Sequence, residues 1–248
     1  MNISGKPNMQ MSGTAFGLQT LLTEYNVTSR KFGLKINAIK TEVMCIGPEC
    51  DFFVDDVKLK IVERFKYLGS YVNRACNLKA EITARIQATS NSYYNLKQRV
   101  FDNHDLTINT KISVYKQCLL PILLYDSEAW TLYSYEIKQL HTVQQRHLSS
   151  ILKIRWNDFV SNETVLTRSN VVDIETLVAQ NRLRWLSHLC RMGDDRTIKL
   201  ILYCELAEGS RSVGRPKLRY KDNLKTILKN VNILETWSNS VHDSSEWR

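Results

Sequence analysis

The stretch Phe32–Val72, FGLKINAIKTEVMCIGPECDFFVDDVKLKIVERFKYLGSYV, decides how the chain is read. Short runs rich in Val, Ile, Phe and Tyr are separated by turn residues, Gly47-Pro48 and Asp55-Asp56. This pattern predicts strands over Leu34–Asn37, Glu42–Ile46, Asp51–Val54, Lys58–Val62 and Phe65–Val72, forming a small antiparallel sheet. Upstream, Leu18, Leu21, Leu22 and Tyr25 recur every three or four residues, which predicts a helix from Leu18 to Lys31. Phe32-Gly33 breaks that pattern, and residues 1–17 are polar and aperiodic.

From Leu78 onward the periodicity turns helical. Ile82, Ile86, Tyr93, Leu96 and Val100 make one apolar stripe; Ile108, Ile112, Tyr115 and Leu119 make a second. Pro121 interrupts the second, and a kink is expected there. Ile137, Leu140, Val143, Leu148 and Ile151 form a third, and Ile174, Leu177, Val178, Trp185 and Leu189 a fourth, with Asp173 placed to cap it. Stripes of this kind are core packing. After Gly209, Ser210, Ser212 and Gly214 a helix is expected to restart at Pro216. The fold class expected is α+β: a small antiparallel β piece followed by a predominantly helical region.

Charge is unevenly placed. The chain of 248 residues carries a formal +9. Between Gly209 and Asn230 stand Arg211, Arg215, Lys217, Arg219, Lys221, Lys225 and Lys229 against one acid, Asp222. Such a cluster is an electrostatic footprint for phosphate, or else a solvated basic surface, and charge alone does not separate the two. Gly214-Arg215-Pro216-Lys217 is basic on one side only, so general backbone contact fits it better than reading of a narrow minor groove. No apolar run approaches the ~18 residues of a membrane span, and Met1–Met11 lacks a signal-peptide core. Six cysteines without a CxxC pair suit a reducing compartment. The expected location is intracellular, cytoplasm or nucleus.

Three motifs, in order, carry a resemblance: FGLKINAIKTEVM (32–44), FKYLGS (65–70) and LLYDSEAW (123–130). Together with ILKIRWNDFVSN (151–162), LRWLSHLCRM (183–192) and ELAEGSRSVGRPKLRYKD (205–222), they resemble the end of a non-LTR (LINE-type) retrotransposon reverse transcriptase. The likeness runs from about Leu18 to Arg248 and implies a division into parts. Residues 18–75 are then a palm remnant, 76–132 thumb-like helices, 133–208 a C-terminal helical region and 209–248 a basic linker and tail. Asn37, Lys40 and Thr41 fall in the palm-like motif, where Lys40, following a strand, could lie near a triphosphate. Tyr67, Leu68 and Gly69 fall in the primer-grip-like motif, as a tight hairpin whose glycine lets backbone approach a primer. Lys79, Arg85, Lys97, Arg99 and Lys111 are the thumb-like phosphate contacts implied, with Arg211, Arg215, Lys217, Arg219 and Lys221 in the basic stretch. Asp126 departs from the pattern, since the family usually has glycine there.

The resemblance also implies two Mg2+ ions held by carboxylates in the parent family. Residues 1–50 contain no aspartate and only Glu24, Glu42 and Glu49, so no catalytic residue and no cofactor are expected in this chain. Phe53-Val54-Asp55-Asp56 spells a catalytic-hairpin pattern but falls after the palm-like motif, where Asp-Asp is turn chemistry. Asp126, Glu136 and Lys138 have nuclease-like spacing, yet Glu136 and Lys138 open a helical run in which they diverge. His141 with His147, and His188 with Cys190 and Cys204, lack metal-knuckle spacing and read as packing. The expectation is a catalytically incomplete polymerase fragment that binds RNA or DNA without sequence preference, with a protein partner possible. Two alternatives stand beside it. A helical interaction domain predicts exposed apolar patches around Leu140, Val143, Leu177 and Trp185. A relic reading frame predicts core surface left bare where palm strands should pack.

Overall fold

Residues 9–48, 50–204, 214 and 218–230 are described by a computed structural model of the chain. They fall into two units, Met1–Glu81 and Ile82–Arg248. The architecture is α+β, with helices dominating.

In the first unit, helix α1 spans Ala15–Lys31 and so starts three residues before the apolar pattern does. The reason is a cap: the Thr14 hydroxyl accepts from Gly17 N at 3.1 Å. Gly33, at φ +71°, ends the helix, and Leu34 N donates back to Ser29 O at 3.0 Å. Leu22 of α1 packs with Val43, Phe52, Val54 and Leu59 to form the core of this unit. Gln19 ties the helix to the strand edge by pairing its amide with both the N–H and the C=O of Phe53, at 3.1 and 2.9 Å.

The strands are shorter than expected: β1 Glu42–Val43, β2 Phe53–Val54, β3 Val57–Lys58, β4 Lys60–Ile61, β5 Arg64–Tyr67 and β6 Ser70–Asn73. They form three separate two-stranded ladders, not one sheet. Ladders β2–β3 and β5–β6 are antiparallel, but β1–β4 is parallel, with Glu42 opposite Lys60 and Val43 opposite Ile61. The expected strand at Leu34–Asn37 is absent. Asn37 instead folds a turn: its Oδ1 accepts from the N–H groups of Ile39 and Lys40 at 3.1 and 3.2 Å. Large apolar side chains stay in solvent here, with Phe16 83%, Phe32 77% and Ile39 90% exposed.

The second unit takes in most of helix α2, Lys79–Leu96, which ends in a π-helical turn over Lys97–Phe101. Helix α3, Ile108–Val114, then runs through a second π-helical turn, Tyr115–Leu119, into α4, Leu120–Leu123. The kink expected at Pro121 is thus taken up one turn earlier. There Leu120 N reaches Tyr115 O, and the widened turn relieves the clash a proline ring makes with the preceding turn. Helices α5, Ser134–Ile151, and α7, Ile174–Arg191, carry the third and fourth stripes; Asp173 caps α7 by accepting from Glu175 N at 3.0 Å. Between them lies α6, Asn162–Ser169; after them come α8, Thr197–Tyr203, and α9, Tyr220–Asn230. The helix expected at Pro216 is seen from Tyr220; Arg211, Arg215, Pro216 and Lys217 lie outside the described residues. Trp130, Tyr115, Phe101, Leu119, Leu140 and Leu148 are sealed in the core.

Candidate nucleic-acid interface

The β5–β6 hairpin is the best-formed ladder, with four residue pairs from Arg64↔Asn73 to Tyr67↔Ser70. Leu68 and Gly69 make its two-residue turn at φ +48° and +95°. Both central residues need positive φ in the turn that matches strand twist, which suits Gly69 and strains Leu68. Leu68 points into solvent at the tip. The resemblance-derived triad Tyr67, Leu68 and Gly69 is therefore one tight hairpin end.

Register places Arg64, Lys66, Tyr71 and Asn73 on a common face of this hairpin. Arg64 and Lys66 approach the Tyr71 ring at 5.8 and 5.5 Å from its centroid. Glu81, at the start of α2, accepts from Tyr71 N at 2.6 Å and fixes that strand. Beside the hairpin an open groove of about 670 Å3 is lined by Arg64, Asn73, Lys60 and Glu42. Lys60 and Glu42 neutralise each other at 2.8 Å. Arg64, Lys66 and Tyr71 were not among the residues singled out from sequence. The strict alternation Arg64-Phe65-Lys66-Tyr67 is the signal that could have placed both cations on one face.

The palm-like trio also converges: Asn37 O accepts from Lys40 N, Thr41 N and Thr41 Oγ1 at 3.1, 3.0 and 2.9 Å. Lys40 is exposed but follows a turn, not a strand. Among the thumb-like cations, Lys79 and Arg99 are exposed. Arg85 covers the Tyr125 ring at 4.4 Å. Lys111 is only 6% exposed, so its assignment as a phosphate contact is corrected. It bears instead on Asp102, together with Lys97 and Lys153. The Lys153 ammonium, 2.5 Å away, and then the charges of Lys97 and Lys111 hold the Asp102 carboxyl below its usual range. Arg219 forks onto Asp222, Nε to Oδ2 at 3.1 Å and a terminal nitrogen to Oδ1 at 2.9 Å. Lys221 is half-buried on α9.

Among the described residues the carboxylates singled out from sequence stand in separate structural roles. Asp55 and Asp56 form the β2–β3 turn at φ +49° and +62°. Arg30, at 2.5 Å, and the Asn26 amide, at 2.7 Å, hold the Asp55 carboxyl below its usual range, so it serves to tie α1 to the turn. Glu136 is buried as a helix cap, accepting from Tyr133 N at 2.8 Å and from the Tyr135 hydroxyl at 3.1 Å. No three His, Cys, Asp or Glu side chains gather at one point among the described residues. Among the described residues no helix is long and apolar enough to cross a membrane.

Two motif-bearing segments of the second unit meet in space. Asn181 Nδ2 donates to Ser127 Oγ at 2.8 Å, and buried Arg182 donates to Trp130 O at 2.7 Å. The LLYDSEAW turn is thus held by the helix that carries LRWLSHLCRM. An uncharacterised transposon-derived protein of Caenorhabditis elegans is 27% identical over 241 residues, covering 92% of this chain and 86% of that protein. This chain has a transposon-related origin. A Drosophila melanogaster protein, named as an RNA-directed DNA polymerase from transposon X-element, is 24% identical over 159 residues. That match covers 61% of this chain but only 17% of the Drosophila protein. No family model and no solved structure matches.

Proposed function

We propose that this chain is a catalytically incomplete portion of a retrotransposon reverse transcriptase, from the end of the palm through the thumb and beyond, and that it holds single-stranded RNA or DNA through backbone contacts. The observation that supports the reading is the β5–β6 hairpin, where Arg64 and Lys66 flank Tyr71 beside an open groove. Exposed cations beside an aromatic ring suit a strand whose phosphates are neutralised and whose bases stack, without sequence reading. The bare apolar side chains Phe16, Phe32 and Ile39 are instead what the relic-reading-frame alternative predicts, and they favour it as the second reading. The helical-interaction alternative lacks its predicted patch: Leu140 and Val143 are buried, and Leu177 and Trp185 half-buried.

Filter binding of the purified chain to a labelled oligonucleotide, repeated across salt concentrations, tests the proposal. Each phosphate neutralised on a single strand contributes a slope of about −0.7 in log affinity against log salt. Replacing Arg64 and Lys66 by Glu is expected to weaken binding and flatten that slope by roughly 1.4. Absence of binding at low salt, or an affinity indifferent to salt, rules the reading out.

A further inference from the structure

Helices α5, α7 and α9 of the second unit, with Leu132 just before α5, border a partly open cavity of about 310 Å3. Its walls are apolar, from Leu132, Ile137, Leu140, Ile174, Val178 and Ile227. Two charged groups stand among them, Arg182, which is 5% exposed, and the exposed Glu175. One guanidinium nitrogen of Arg182 donates to Trp130 O at 2.7 Å, but its Nε–H has no acceptor. A buried guanidinium with a single neutral acceptor is costly, because a charge has left water with one donor unmade.

Helix α9 carries two further unmet polar groups, neither of them on the cavity lining. Tyr220, Asn223, Ile227 and Asn230 recur at three- and four-residue spacing and share one stripe. Ile227 and Asn230 line the cavity. The Tyr220 hydroxyl and Asn223 Nδ2, on the same stripe, are also buried without a partner. Burial pushes the Tyr220 hydroxyl up to about 12, so it keeps its proton and can donate. The one acid on the cavity lining among the described residues, Glu175, is exposed, and its charge acts on Arg182 from the solvent side without a hydrogen bond.

The unmet Nε–H of Arg182 therefore borders a largely apolar space whose volume lies at the low end of the ~300–1,000 Å3 of small-molecule sites. A single buried cation offsets one negative charge, which favours a monoanion over a phosphate dianion. We infer that this cavity binds a small monocarboxylate with an aliphatic body, its carboxylate received by Arg182, and its chain lying against Leu132, Leu140 and Val178. The inference uses residues of the second unit alone and does not rest on nucleic-acid contact.

Calorimetric titration of octanoate into the full chain, with octanol as the uncharged control, tests the inference. Saturable binding of one octanoate per chain is expected, with octanol weaker by at least about tenfold. Arg182→Gln is expected to abolish the preference for octanoate. Because Arg182 also holds the Trp130 carbonyl, Ala179→Leu serves as the second variant: it fills the cavity, leaves the guanidinium in place, and is expected to weaken octanoate about tenfold without lowering Tm. No saturable heat from octanoate means the unmet donors are served by water and overturns the inference. Equal affinity for octanol, or unchanged octanoate affinity in Ala179→Leu, overturns it as well.

Discussion

Asp126 sits at φ +64° and ψ +13°, the left-handed conformation, just before the short turn Ser127–Ala129. That turn is tightly bonded: Ser127 N donates to Leu124 O at 3.0 Å and Ala129 N to Asp126 O at 3.1 Å. Trp130, 1% exposed, depends on this geometry for its place in the core. The position thus asks for glycine on steric grounds, and aspartate is among the few other residues that visit this conformation readily. The departure noted in LLYDSEAW is a substitution within the same backbone demand rather than a change of turn. Asp126→Gly is therefore expected to keep or raise stability. Asp126→Val, whose branched Cβ meets the carbonyl in this conformation, is expected to cost about 1–2 kcal/mol. Urea midpoints of the two variants against the parent decide the matter; a Val variant as stable as the Gly variant contradicts it.

Between elements, the junction of α5 and α7 rests on one buried amide. Gln144 donates to Val172 O at 2.9 Å and accepts from Ile174 N at 3.1 Å, so a side chain of α5 satisfies the backbone at the entry to α7. Gln144→Leu keeps the volume but strands both backbone groups in a dry core, with an expected cost of about 2–4 kcal/mol. The measurement is a lower denaturant midpoint with the slope unchanged. Elements like α5 and α7 were legible in the sequence because their apolar stripes repeat over many turns and Asp173 announces a cap. Strands of two residues are too short to show a period, so their ladders and the parallel β1–β4 pairing were not legible. The π-helical turns carry no local signature either. At the candidate site, Gly69 betrayed the hairpin tip, whereas the burial of Lys111 depends on tertiary packing that spacing alone does not encode.

Across the molecule, burial is unequal, and the second unit seals its interior around an imidazole. His147, 3% exposed, stacks on Tyr93 at 4.4 Å between ring centroids and lies edge-on to Tyr115 at 6.1 Å; Phe101 stacks on the other partner, Tyr93, at 4.8 Å. Its Nδ1 has no hydrogen-bond partner. Burial first, and then the charge of neighbouring Arg146, push the imidazole down to about 4 from an ordinary 6.5. The folded state therefore refuses a proton that the unfolded chain accepts. Above pH 6.5 both states are neutral at this residue and its full contribution is present. As pH falls from 6.5 toward 4, the unfolded state gains the proton first, and stability drops by up to on the order of 3 kcal/mol. Below about 4 both states are protonated and this loss levels off. Carboxylates such as Asp55 and Asp102, held below their usual range, begin to lose their contribution only near the acid end of this window, so the comparison is made against His147→Phe, which keeps a ring in the stack and cannot titrate. Urea unfolding at pH 7, 6, 5 and 4 is expected to show the parent losing stability relative to the variant across that window. Parallel curves for the two proteins mean that His147 is not what makes the helical unit sensitive to acid.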